Sequence, residues 1–198
     1  LGRCYVSGTG CPQNPRLGKA CQDTAVALGS IDALYRLGCC YYSAVGCQQD
    51  TALALTYIRR AADSVHVEAI TFLGDYYAEA GNYKEAVAWY EKGVALGYLE
   101  PMCALGECYR DGNGVVLNSK KAYDLFLEAA NAGSARGMML LAQCYLDGIH
   151  VESDVDEGML WLGRAVQEGY APALYYAGFI YENGASDDKG NRVKPDIK

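Results

Sequence analysis

The sequence predicts an all-α fold, an α-solenoid in which antiparallel helix pairs stack into a right-handed superhelix about five and a half repeats long. Three observations carry that prediction. A five-residue motif recurs along the chain: LGRCY at Leu1, LGCCY at Leu37, LGDYY at Leu73, LGECY at Leu105, LAQCY at Leu141 and AGFIY at Ala177. The intervals are 36, 36, 32, 36 and 36 residues, and a fixed period of that size marks an array of supersecondary units that bury their apolar faces on each other. Apolar residues elsewhere in each unit fall at helical spacing, as Ala86, Trp89, Tyr90 and Val94 do, and no sustained period-2 alternation suggests a strand. Finally, length varies where a loop should vary. The 32-residue unit has lost four residues after its motif, and the last copy gains about six in GASDDKGNRV.

Each unit opens with the motif, in a helix termed A. Its fifth position is Tyr in all six copies: Tyr5, Tyr41, Tyr77, Tyr109, Tyr145 and Tyr181. A ring there can bury roughly 150–250 Å² while its hydroxyl finds a partner at the edge. The second position is Gly2, Gly38, Gly74, Gly106 and Gly178, with Ala142 in the other copy. Gly costs a helix interior about 1 kcal/mol relative to Ala, so close approach of a neighbouring helix is expected to offset it. A Gly-containing turn follows, then Asn14, Asp50, Asn82, Asn118, Asp154 and Asp196. These are preferred N-cap residues and predict the start of a second helix, B. Asn82 with Glu85 and Asp154 with Glu157 have the spacing of a capping box. Small residues fill two helix-B columns, Gly18/Ala54/Ala86/Ala122/Gly158 and Ala25/Ala61/Gly93/Ala129/Ala165. Helix B should stop at Gly29, Gly97, Gly133 and Gly169, residues suited to a left-handed C′ position. Val65 stands there in one copy, which predicts a different turn.

Composition narrows function. The 198 residues carry a net charge of −7 with no Lys/Arg run longer than two, which argues against nucleic acid as a partner. No apolar stretch approaches the roughly 18 residues of a membrane-spanning helix, so no membrane insertion is expected. Nine cysteines without a CxxC pair argue against a complete disulfide framework or a zinc cluster, and favour a reducing, cytoplasmic compartment. Cys4, Cys40, Cys108 and Cys144 share the column beside the motif tyrosine and read as small buried hydrophobes. Cys11 and Cys47 share another column; packing is the expectation, with a Cys4–Cys11 or Cys40–Cys47 disulfide as the alternative. His66 and His150 lie too far apart in the repeat for a shared site. DGNG lacks the Gly-Lys-Ser/Thr of a phosphate loop, and SDVDEG lacks the ligand spacing of a calcium loop. No catalytic constellation, metal site or cofactor is expected. The chain has no initiator Met, begins within a helix A and ends where another helix B should start. It reads as a single solenoid, 1–198, excerpted from something longer, with further repeats or domains flanking it.

Residues 105–133, LGECYRDGNGVVLNSKKAYDLFLEAANAG, carry nearly the whole signature of the Sel-one-like repeat (SLR) family, relatives of the tetratricopeptide repeat; Leu125 and Asn118 depart from it. The chain resembles that family throughout. The resemblance implies helices A on a concave face and a non-catalytic scaffold or adaptor binding a peptide or protein partner there. Free positions around the motif would line the groove: Arg36, Tyr42, Phe72, Asp75, Glu107, Arg110, Gln143, Tyr176, Phe179 and Glu182, with Arg3, Cys39, Ala104 and Leu140 at equivalent places. Aromatics beside Arg are common interface anchors. The alternative is a regulatory or targeting module of a larger enzyme whose catalytic part lies elsewhere.

Overall fold

The computed structural model describes residues 2–186, 190, 192 and 193. The chain divides into two compact units, Leu1–Ala80 and Gly81–Lys198. In the first, helices A are α1 (Gly2–Ser7), α3 (Ile31–Tyr42) and α5 (Val67–Glu79), and helices B are α2 (Pro15–Ala27) and α4 (Thr51–Asp63). In the second, helices B are α6 (Tyr83–Ala95), α8 (Ser119–Asn131) and α10 (Val155–Gln167). Its helices A are α7 (Leu99–Asp111), α9 (Ala135–Asp147) and α11 (Ala171–Asn183). Within each unit every helix packs on its neighbour in sequence, and α7 also touches α9. Helix A therefore meets the next helix A at α7 and α9.

The segment read as a loop in the last copy holds a short antiparallel strand pair, β1 (Ala185–Ser186) and β2 (Arg192–Val193), with Ala185 opposite Val193. Two-residue strands are too short to show alternation in sequence, which is why that reading missed them. The cap proposed at Asp196 lies outside the described residues.

The A-to-B turn is built by a double use of the cap residue. The side chains of Asn14, Asp50, Asn118 and Asp154 accept from the backbone N–H three residues on, at 2.9–3.1 Å. Their own N–H groups donate back to the carbonyls of Tyr5, Tyr41, Tyr109 and Tyr145, at 2.8–3.0 Å. One residue thus satisfies an orphan donor of helix B and an orphan acceptor of helix A. Asn82 corrects the sequence reading: it heads α6 but makes no side-chain cap bond. Its φ is −87°, against −144° at Asn14, −148° at Asp50 and −151° at Asn118. With four residues missing from this turn the cap residue meets the helix at a different angle.

Helix B ends as the glycines foretell, with Gly29, Gly97, Gly133 and Gly169 at φ between 74° and 92°. Val65 is a second correction. The turn does not differ: Val65 adopts φ 64°, its N–H donating to the Ala62 carbonyl and that of His66 to the Ala61 carbonyl. Gly97 and Tyr98 make the same bonds to Val94 and Gly93. The turn geometry prevails over the residue's preference.

The core includes a column of helix-B side chains, two of which are seated on motif glycines. Ile58, Tyr90, Phe126 and Leu162 are buried. A Cβ added to Gly38 would strike Ile58, and one added to Gly106 would strike the Phe126 ring. Gly74 is likewise buried in α5. Gly178 in α11 is different: among the described residues nothing lies within 4 Å of a Cβ added there. In the small helix-B columns Ala54, Ala61, Ala122 and Ala129 are fully buried, while Ala25 is only half-buried.

Candidate functional site

In the first unit, α3 and α5 set a group of rings on the helix-A side. Tyr35 and Tyr42 lie seven residues apart on α3, and Phe72 and Tyr76 four apart on α5, spacings that share a helix face. Tyr42 meets Phe72 edge-on at 5.2 Å and Tyr76 at 6.2 Å; Phe72 stacks on Tyr76 at 6.4 Å and lies 6.4 Å from Tyr35. All four are half-buried, packed yet open to contact. Tyr35 and Tyr76 were missed in the sequence. Tyr76 occupies the column that holds cysteine in four other copies, and that substitution was the available signal.

Charges frame this group. Arg36 Nε donates to Asp32 Oδ2 at 2.6 Å, which holds the Asp32 carboxyl below its ordinary range. His66, at the N-cap of α5, lies 4.9 Å from the Tyr35 ring. Its Nε2 is 3.7 Å from Asp32 and its Nδ1 3.3 Å from Glu68, although the buried Nδ1 makes no hydrogen bond. Asp75 is exposed on α5.

The second unit places its groove residues less uniformly. Glu107 and Glu100 both bind Arg136, which Nη1 joins to Glu100 at 3.0 Å and Nη2 to Glu107. Burial works against the Arg136 charge, yet the two carboxylates hold it well above its usual range. Arg110 forks onto Asp111, at 2.8 and 3.1 Å. Gln143 and Tyr176 are half-buried, and burial pushes the Tyr176 hydroxyl up. Phe179 and Glu182 are exposed on α11. Ala104 and Leu140, placed at the groove by register alone, are buried instead, whereas Arg36, Phe72 and Tyr176 in the same column are half-buried.

The motif tyrosines meet cations or hydroxyls from helices B. Lys121 Nζ donates to Tyr109 at 2.6 Å, Arg59 donates to Tyr77, and Tyr145 shares a hydrogen bond of 2.9 Å with Tyr123. Tyr41 stacks on Tyr57 at 5.9 Å, with Lys19 4.9 Å from its ring. Tyr109 is buried, while Tyr5, Tyr41, Tyr77 and Tyr145 are half-buried. Tyr181 corrects the expectation: it is 47% exposed, on the same helix as the open Gly178.

Chemistry finds little footing here. All nine cysteines are free thiols, and Cys47 Sγ donates to the Cys40 carbonyl at 3.6 Å where the alternative reading had a disulfide. Burial pushes the Cys103, Cys108 and Cys144 thiols up to about 11, away from the thiolate a nucleophile needs. His150 sits at φ 69° in a position held by glycine in other copies, 5.6 Å from Tyr123. Among the described residues no group of three His, Cys, Asp or Glu could hold a metal ion, and no helix is long and apolar enough to cross a membrane.

Tandem helix pairs with a packed repeat core and an aromatic, charged outer face define a helical-repeat interaction module. The chain belongs to the Sel1 repeat family: the family profile matches residues 1–29, 31–66, 67–98, 102–134, 135–170 and 171–198. The fold is similar to that of a Sel1 repeat protein from Oxalobacter formigenes, with a TM-score of 0.81 and 26% identity over 92% of this chain and 74% of that one. The SLR protein c5321 of uropathogenic Escherichia coli gives 0.77 and 27%, covering 92% and 40%. Among curated proteins, chitin synthase regulatory factor 3 of Schizosaccharomyces pombe is 24% identical over 194 residues, 91% of this chain and 21% of that protein. Chitin synthase regulator SKT5 of Saccharomyces cerevisiae is 28% identical over 109 residues, covering 54% and 16%. The chain thus spans about a fifth of the length of these relatives. Sel1 repeats of this kind suggest a module that works through protein partners.

Proposed function

We propose that the chain is a regulatory adaptor that binds a peptide or protein partner on the faces of its helices A. The observation that carries this reading is the half-open group Tyr35, Tyr42, Phe72 and Tyr76 beside Arg36, in a repeat whose other conserved-looking positions are spent on packing. Aromatic side chains beside Arg give large contact area at low entropic cost and dominate interface energetics. The relatives' names favour a regulatory role, with an enzyme of the chitin synthase kind as the partner. Arg36, Tyr42, Phe72 and Asp75 would serve in the first unit, and Glu107, Arg110, Gln143, Tyr176, Phe179 and Glu182 in the second. Glu107 and Arg110 would exchange an existing ion pair for one with the partner. We place the protein in the cytoplasm.

Photo-crosslinking amino acids at positions 75 and 179 should capture a partner, whereas the exposed helix-B positions 84 and 120 should not. Equal capture from helices B would defeat the reading. A second reading, a regulatory module within a larger enzyme, is favoured by the small share of its relatives' length that the chain covers. A catalytic domain in the full open reading frame would establish it.

A further inference from the structure

On α5 the residues Glu68, Phe72, Asp75, Tyr76 and Glu79 fall at i, i+4, i+7, i+8 and i+11, a single stripe along one face of the helix. Ala69, Ile70, Leu73 and Gly74, off that stripe, are buried. All three carboxylates of the stripe are exposed, and the two rings between them are half-buried. Tyr42, reaching over from α3, completes a corner. Its plane stands at 90° to Phe72 and 81° to Tyr76, which lie within 10° of parallel to each other. Repeat packing does not require these rings. The Phe72 column holds Ala104 in α7 and Leu140 in α9, the Tyr76 column holds Cys108 and Cys144, and the Tyr42 column holds Leu146 in α9. Three positions that an aliphatic or thiol side chain fills elsewhere are thus aromatic together here, with acids on either side.

Charge selects the occupant. Helix α5 carries three carboxylates and neither Lys nor Arg. The one cation of α3, Arg36, is tied to Asp32, and His66 at the head of α5 lies beside Glu68. The face of an aromatic ring attracts a cation, and an arginine guanidinium stacks on rings while its edge pairs with carboxylates. We propose that Tyr42, Phe72 and Tyr76 hold an arginine side chain of a basic peptide segment. The guanidinium lies against the open side of the rings and pairs with Glu79, one turn past Tyr76, while a second basic residue of the segment pairs with Glu68, one turn before Phe72. An acidic segment would meet like charges along the whole stripe and be repelled. The net charge of −7 on the chain steers the same class of partner towards it. The proposal rests on the reading that helices A form the partner surface, and adds to it the charge of the segment recognised and the residues that recognise it.

The test is fluorescence anisotropy of labelled, end-capped Gly-Arg-Gly-Arg-Gly peptide with the 198-residue chain. Replacing both arginines by citrulline keeps the planar group and removes the charge, and should weaken binding to the wild-type chain at least tenfold. Phe72→Leu and Tyr76→Cys install residues that the repeat already uses in these columns, as Leu140 and Cys144 do, so both should keep the helical fold. Each should weaken binding about fivefold, the scale of an exposed cation–π contact. Glu79→Gln should weaken it roughly threefold and flatten its salt dependence. Glu85→Gln, which removes the same charge from an exposed position on helix α6, should leave binding unchanged. If the wild-type chain fails to bind the arginine peptide, or binds the citrulline peptide as tightly, the proposal is wrong. It is equally wrong if Phe72→Leu and Tyr76→Cys bind like wild type, or if Glu85→Gln weakens binding as much as Glu79→Gln, because the attraction would then be diffuse charge. Crosslinking of a partner at position 179 would in those cases show the helix-A reading standing without this site. Absence of both would remove the two together.

Discussion

Val65 holds a left-handed conformation that β-branched residues rarely adopt. Strain of this kind is worth about 1–3 kcal/mol, partly balanced by the greater unfolded-state freedom of glycine. Val65→Gly should therefore stabilise the chain by about 1 kcal/mol in urea denaturation, and a loss of stability would refute strain at this turn. The motif glycines offer a paired comparison. Gly106→Ala forces a methyl group against Phe126 and should cost about 1–3 kcal/mol by overpacking. Gly178→Ala meets open space and should raise stability by up to about 1 kcal/mol through helix propensity alone. Identical motif positions thus predict opposite signs, because only one of them has a helix B seated on it.

At the scale of the element, the cap residues differ in what they hold. Asn118→Ala removes a bond to Lys121 N and should cost about 0.5–2 kcal/mol. The same change at Asn82, which makes no cap bond, should move the melting temperature little. Equal losses at the two sites would mean that something other than the side-chain cap is at work. The first turn of α3 carries a pH signature. Arg36 holds the Asp32 carboxyl below its ordinary value of 3.8. The unfolded chain therefore binds this proton more readily than the folded one, so the contribution is present above about pH 4 and lost as pH falls through the lowered value. The pair is exposed, which keeps the effect small. The melting-temperature gap between wild type and Asp32→Asn, measured from pH 7 to pH 2.5, should close at the acid end. A gap that persists there would assign it to packing.

Across the whole molecule, each repeat leans only on its neighbours, so damage should spread locally. Phe126→Ala empties a fully buried site and should cost about 3–5 kcal/mol. Amide exchange should then accelerate first in α7, α8 and α9, the helix itself and those it touches, ahead of α11. Uniform acceleration would show cooperativity beyond nearest neighbours. The repeat period, the helix order, the small buried columns and the caps at Asn14, Asp50, Asn118 and Asp154 were all legible in the sequence. These are local or recurrent constraints, and six copies of one pattern restate each of them. Tertiary structure decided what depends on which neighbour is present. It buried Ala104 and Leu140, and tied Glu107 to Arg136 across two helices. It also brought Tyr35 and Tyr76 beside Tyr42 and Phe72. A repeating sequence specifies the unit, because backbone geometry and close packing act within a turn or two of chain. The face that helices A present is set by side chains from successive repeats, which lie some 36 residues apart in sequence and become neighbours only when the repeats stack.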